Sequence, residues 1–214
     1  PLRPGPIYPR LNGYCNVARV VESAPGTRLA RPGDRVLSFT SHRSQFDLAD
    51  TDVLAVIPDG LSSEAASVAY LYHLGYNSVL RAGVRAGSRV LVIGLGALGM
   101  AAVSMAHRAG ADVAAVSGQP ALCDLAVKAG ARVASPRNAF ASGTLWPARQ
   151  GLAAGADVVV LTTGSWDDWH RAMQAATPRG TVAVLGCPGR GLPPPTGNPL
   201  DPQHFYLKQL RIEA

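Results

Sequence analysis

The chain has 214 residues, 47% of them apolar and 16% charged, with a formal charge of +6. This composition excludes a disordered or collagen-like chain and leaves length for one large domain or two small ones with a sizeable core. The 23 glycines and 17 prolines are too many for a helical bundle, and the three scattered cysteines (Cys15, Cys123, Cys187) form neither a disulfide framework nor a metal knuckle.

The first sixty residues read as short strands between Gly/Pro turns. Residues 16–22 read as a strand with β-branched residues, and Pro25-Gly26 is a turn. Residues 31–39 are a turn feeding a second strand, and 53–57 form a third, stopped by Pro58-Asp59-Gly60. A small barrel or sandwich fits this pattern. After Gly60 the pattern changes. Ser62-Ser63-Glu64 offers a helix start, residues 65–71 have helical composition, and 75–82 suit a second helix. From Arg89 strands and helices alternate: strands at 90–93, 113–116, 132–134, 157–161 and 181–185, and helices at 97–109, 120–129 and 166–176. Residues 208–212 suit a final strand. Such alternation with short links is the mark of a doubly wound parallel sheet. The Pro/Gly-rich stretch 187–202 reads as a loop within that domain.

The basic residues are eighteen Arg and two Lys, spread from Arg3 to Arg211 without a dense run. An even spread argues against a nucleic-acid surface and is compatible with an anionic small ligand. The longest uncharged run, 90–106, is short for a membrane span, and its glycines suit a turn. No membrane partner is expected. No secretory leader is visible in these residues, and a reducing cytoplasm is the expected compartment.

One motif stands in an informative context. Gly94-Leu95-Gly96-Ala97-Leu98-Gly99 follows a strand and opens a helix. Gly94 permits the tight turn, Gly96 lets backbone approach a pyrophosphate, and Gly99 allows close packing of helix on strand. The N–H groups at Ala97 and Leu98 then face the phosphates at the helix start. NAD sites place an acid at the end of the next strand to bond the ribose hydroxyls. Here that strand ends at Ser117-Gly118, and Asp112 stands at its start. The missing acid favours NADP(H) over NAD(H), although residues 118–122 hold no Arg or Lys to grip the extra phosphate.

The order of segments resembles the medium-chain dehydrogenase/reductase superfamily over nearly the whole chain. Gly13-Tyr14-Cys15-Asn16-Val17 is similar to its G-H-E-x-x-G-x-V-V stretch, and Arg31-Pro32-Gly33-Asp34-Arg35-Val36 to its P-G-D-R-V turn. Ile57-Pro58-Asp59-Gly60-Leu61-Ser62 resembles its connection to the second domain, and Ala129-Gly130-Ala131 its E-L-G-A turn. Thr163-Gly164 and Leu185-Gly186-Cys187 resemble the strand ends that line the nicotinamide side. The resemblance implies an α/β fold: a Rossmann doubly wound parallel sheet over 61–214, preceded by part of a GroES-like β domain over 1–60. It also implies a chain truncated at both ends.

The departures from the family pattern carry as much. Tyr14 and Cys15 follow the glycine where zinc-dependent members have a ligating His, and Tyr70 stands where they have a ligating Cys. The four-Cys lobe for structural zinc is missing. The resemblance therefore implies a zinc-independent oxidoreductase of the alcohol-dehydrogenase or quinone/enone-reductase kind, acting on a small-molecule substrate. A non-catalytic nucleotide-binding fragment or degenerate paralogue is the alternative. Tyr14, His42 and Tyr70 are the candidate proton donors. Gly94, Gly96, Ala97, Leu98, Gly99, Ser117, Gly118, Thr163, Gly164, Leu185, Gly186 and Cys187 are the candidate cofactor contacts. The resemblance also implies a homodimer through an edge strand of the cofactor sheet, with strand 181–185 and the loop 189–202 as the candidate contacts. Trp166, Trp169 and His170 read as one face of an amphipathic helix and receive no chemistry.

Overall fold

The computed structural model describes residues 11–140, 145–148 and 152–214. The chain divides into two compact units, Pro1–Tyr70 and Leu71–Ala214. The first holds an antiparallel sheet of β1 (Asn16–Arg19), β2 (Arg35–Ser38) and β3 (Val53–Val56), in that order. β1 stops short of residue 22: Val20 keeps register opposite Asp34, its N–H donating to Asp34 O, but its carbonyl accepts from the Gly33 N–H of the turn, where the regular ladder ends. The turn closes on itself. Gly33 takes φ +98°, which suits glycine, and the Asp34 carboxylate accepts the Arg31 N–H at 2.7 Å. Leu37, Ile57 and Ala66 make a small core, with Cys15 and Val17 packed against it.

Ser62 caps α1 (Ser63–Ser67), accepting the Ala65 N–H on its hydroxyl at 3.1 Å. α2 (Ala69–Arg81) follows after Val68. The expected break near residue 75 is absent, and the helix runs straight through Gly75. That glycine serves packing: a Cβ there would stand 2.7 Å from the Ala101 carbonyl carbon.

The second unit is a six-stranded, wholly parallel sheet. In chain order its elements are β4 (Arg89–Ile93), α3 (Ala97–Arg108), β5 (Asp112–Ser117), α4 (Pro120–Lys128), β6 (Val133–Pro136), β7 (Ala156–Leu161), α5 (Trp166–Ala175), β8 (Ala176–Val184) and β9 (Arg211–Glu213). The spatial order is β6-β5-β4-β7-β8-β9. The run Val90-Leu91-Val92-Ile93 is at most 1% exposed, as expected of a central strand covered on both faces. Alternate residues feed two cores. Val90 and Val92 pack with Val103 and Ala106 of α3 and Ala126 of α4, whereas Leu91 and Ile93 pack with Trp169 and Met173 of α5. Each fully buried aliphatic side chain contributes roughly 1.5–3 kcal/mol.

Two corrections concern the last strands. β8 lies between β7 and β9 and is paired on both sides, so strand 181–185 is not a sheet edge. Among the described residues that edge is β9. Lys208 stands outside the final strand. Its ammonium donates to the carbonyls of Met173, Gln174 and Ala176 at 2.7–3.0 Å, closing the end of α5. No helix of the described residues is long and apolar enough to cross a membrane.

Candidate functional site

The two ends of the parallel sheet differ in chemistry. At the amino ends, ion pairs fasten neighbouring strands. Arg89 donates to Asp157 through Nη2 (2.6 Å), Nε (3.2 Å) and its backbone N–H (2.9 Å). Asp112 accepts from Arg132 Nε and Trp146 Nε1, each at 2.7 Å. Asp112 is thus at the far end of β5 and committed to structure. Burial pushes its carboxyl up, but the Arg132 and Trp146 hydrogen bonds and the Arg132 charge outweigh that and hold it below the usual range.

At the carboxyl ends the strands carry glycine and threonine. Parallel sheets of this topology bind ligands there, where the strand order reverses, which here is between β4 and β7. Gly94 takes φ +93°, and a Cβ on it would stand 2.5 Å from both Thr162 Oγ1 and Thr163 Cγ2. The Thr162 hydroxyl lies 3.1 Å from Ile93 O and 3.0 Å from Gly94 O, tying β7 to the loop. A Cβ on Gly99 would stand 1.9 Å from Gly94 O, so α3 sits directly on the turn. A Cβ on Gly186 would fall 2.6 Å from the Thr162 carbonyl carbon. Gly96 differs from these. It is the N-cap of α3 with φ −70°, and a Cβ there would meet nothing within 4 Å.

Several expected contacts have structural duties of their own. Ser117 is 3% exposed, and its Oγ accepts the Gln119 N–H at 3.0 Å, shaping the β5–α4 link. The Thr163 hydroxyl donates to Asp168 Oδ2 at 2.8 Å. Gly164 O accepts from Gly189 N–H, Cys187 O accepts from Arg190 N–H, and the Leu185 and Gly186 N–H groups both donate to Leu161 O. Ala97 and Leu98 form the first turn of α3.

One residue escapes a reading by motif. Arg137 follows β6, and the parallel register sets Pro136 beside Ser117. Its Nη1 lies 3.0 Å from where a Gly118 Cβ would stand. Its Nη2 donates at 2.8 Å to Asp168 Oδ2, on a side chain with no exposure. Arg137 Nε and Asp168 Oδ1 are buried without a partner among the described residues. The available signal was adjacency of strands, which puts residues following β6 beside those following β5.

In the first unit, the three candidate proton donors stand on neighbouring segments. Tyr14 meets Tyr70 edge-on at 5.6 Å between ring centroids, and Phe39 meets Tyr70 at 4.8 Å. The His42 ring covers Gly13, and its Nε2 is 3.2 Å from Cys15 O. The Cys15 thiol donates to Ser67 O at 2.8 Å, turned toward the small core.

A six-stranded parallel sheet with a glycine turn at its switch point defines a Rossmann-type fold. The family model for zinc-binding dehydrogenases matches residues 97–214. The chain belongs to that family. It is 40% identical over 118 residues to the erythronolide synthase of Saccharopolyspora erythraea, covering 52% of this chain and 3% of that protein. Among solved structures, the NADP-bound form of a protein provisionally classed as a zinc-binding dehydrogenase, from Sinorhizobium meliloti 1021, superposes with TM-score 0.80 at 21% identity. That match covers 98% of this chain and 69% of the other. A mycobacterial protein complexed with NADPH superposes with TM-score 0.73 at 25% identity, covering 96% and 65%. The chain spans between 3% and 44% of the length of the curated relatives it matches.

Proposed function

We propose that this chain carries the cofactor domain and part of the substrate domain of an NADP(H)-dependent oxidoreductase of the medium-chain dehydrogenase/reductase type. In this reading the enzyme reduces or oxidises a carbonyl/alcohol pair or an activated alkene. The observation that carries it is Gly96. The fold needs glycine at 94 and 99, where a Cβ would collide, but not at 96, where backbone and space admit any small side chain. Glycine at that one open position is explained by a ligand that comes close to the backbone. The α3 N-terminus behind it, with its N–H groups and dipole, suits a pyrophosphate.

The choice of NADP(H) rests on what surrounds Gly118. No acid stands at the end of β5, and Arg137 Nη1 lies beside Gly118, where in this reading it supplies the cation for a ribose phosphate. Asp168 fixes the Arg137 guanidinium through Nη2. When bound, the nicotinamide supplies or accepts the hydride. The chain's share is to hold the cofactor against the strand ends at Thr163, Gly164, Leu185, Gly186 and Cys187, and to supply a proton from Tyr14, His42 or Tyr70. The residues around Tyr14 do not fit a catalytic zinc. Catalytic zinc takes three protein ligands, and Tyr14 and Tyr70 replace two of the family's, while the Cys15 thiol is turned to Ser67 O. We therefore read the chemistry as zinc-independent.

The test is a parallel fluorescence titration with NADPH and NADH. Saturable binding, tighter for NADPH and weakened at least tenfold for NADPH alone by Arg137→Met, is expected. Equal binding of both cofactors, or no binding by a folded sample, overturns the reading.

A further inference from the structure

We propose that His170, Asp201 and His204 form a divalent-metal site, of the class that takes Zn²⁺, which clasps α5 to the turn that precedes β9. The site lies wholly in the second unit and is independent of the Tyr14 region. Among the described residues these are the three His, Cys, Asp or Glu side chains grouped closely enough to share an ion, each offering one ligand atom within 4.8 Å of the others.

The sequence pattern is that of a built site. Asp201 and His204 are spaced i, i+3, Asp201 capping the tight turn Pro202–Tyr206 that carries His204, and the third ligand comes from a helix distant in sequence. Two imidazoles and a carboxylate match the donor preference of a borderline first-row ion. Around an ion bound at about 2.0–2.1 Å, tetrahedral donors lie about 3.3 Å apart. A closure of at most about 1.5 Å from the present spacing, within reach of χ rotations, assembles the set. His170 is exposed, so water has access to the fourth position.

Local hydrogen bonds and ring contacts position the three ligands. Asp201 Oδ1 accepts the Gln203 N–H at 2.7 Å, and Asp201 O accepts the Phe205 N–H at 2.8 Å, so the turn fixes the carboxylate. Its other oxygen, Oδ2, lies 3.3 Å from His204 Nδ1. The His170 and His204 rings stand edge to face with centroids 5.2 Å apart. The Gln174 amide, 2.8 Å from His170 Nε2, orients that ring from one helical turn away. The approach to the turn is pinned to the same helix, because the indole N–H groups of Trp166 and Trp169 donate to Pro193 O and Pro199 O. Phe205 packs into the core beside α5. Two of the three ligands therefore sit on a braced turn and the third on the helix that braces it, with little chain ordering left for an ion to impose.

The test uses the full 214-residue chain with Zn²⁺ and Co²⁺ as probes. Calorimetry is expected to give one equivalent of Zn²⁺ with micromolar affinity. Co²⁺ is expected to give visible d–d bands of a four-coordinate site without the charge-transfer band of a thiolate. His170→Ala and His204→Gln are each expected to weaken Zn²⁺ at least thirtyfold. Asp201→Asn, which retains an acceptor for the Gln203 N–H and so keeps the turn, is expected to weaken it about tenfold. The far-ultraviolet circular dichroism spectrum and the thermal midpoint without metal serve as the control for folding in all three variants. Absence of stoichiometric Zn²⁺ binding by the wild-type chain overturns the proposal. So does Zn²⁺ binding that survives His170→Ala, or a Co²⁺ spectrum with thiolate character, which would place the ion at a cysteine.

Discussion

Replacing Arg137 by Met removes the cation from a carboxylate that has no exposure. Asp168 would keep the Thr163 hydroxyl at 2.8 Å but lose the guanidinium at 2.8 Å, and its Oδ1 already lacks a partner among the described residues. Breaking a buried pair from one side costs about 3–5 kcal/mol because an uncompensated charge remains. The Arg137 side chain is 38% exposed, so water screens part of the attraction. The position of Asp168 in the first turn of α5 also offsets part of the loss through the helix dipole. Both effects put the expected cost at the low end, about 3 kcal/mol. In a domain of this size that lowers Tm by about 6–12 °C. Urea unfolding followed by tryptophan fluorescence reads the difference directly. Asp168→Asn in the same background removes the stranded charge while leaving an acceptor for Thr163. The double variant is expected to recover about 2 kcal/mol relative to additivity. A loss below about 1 kcal/mol in Arg137→Met, or strict additivity in the pair, would refute the reasoning.

The other predictions concern both ends of the sheet. Gly99→Ala drives a methyl onto Gly94 O and is expected to abolish NADPH binding and lower the melting temperature. Gly96→Val, with open space around it, is expected to leave the melting temperature nearly unchanged and to weaken NADPH by more than tenfold. Equal thermal damage from the two would contradict the steric distinction between them. Burial pushes the Asp157 carboxyl up, but the hydrogen bonds and charge of Arg89 prevail and hold it below its ordinary value. The stability this confers is present above about pH 4 and lost as pH falls through the folded-state pKa. Asp157→Asn should flatten that acid limb of the urea midpoint while lowering the midpoint at pH 7. Lys208→Met strips a donor from three carbonyls at the end of α5 and is expected to cost about 1–2 kcal/mol, measured by the same unfolding curves.

The Rossmann half was legible because its signals are local. Val90 to Ile93 is an apolar run of strand length, the glycines follow it at fixed spacing, and α3 and α4 begin and end where composition turns. The Ser62 cap was legible for the same reason. What was missed depends on contacts across sequence. Arg137 reaches Gly118 only because β6 is registered beside β5. Lys208 looks like the start of a strand until the end of α5 is placed above it. Residues 181–185 read as a sheet edge because nothing local announces that β9 pairs with them. Residues 75–82 read as a helix separate from 65–71, whereas one helix runs through Gly75, and α3 lies against that glycine and requires its lack of a side chain. His170, Asp201 and His204 come from two segments whose proximity no periodicity encodes.

The seam between β4 and β7 has a consequence for the order in which the chain acquires its structure. The Arg89 bond to Asp157 at one end of the seam and the Thr162 bond to Gly94 O at the other each join residues 68 apart in sequence. The remaining pairings of the parallel sheet span less than half that distance. Closing the longer loop costs more chain entropy, and such contacts form late on the way to the native state. β4 can gather β5 and β6 as soon as those residues leave the ribosome, while β7 must wait for the whole first half to exist. On this argument the turn at Gly94 is completed late in sheet assembly, and a ligand bound there is expected to act on the rate of unfolding more than on the rate of folding.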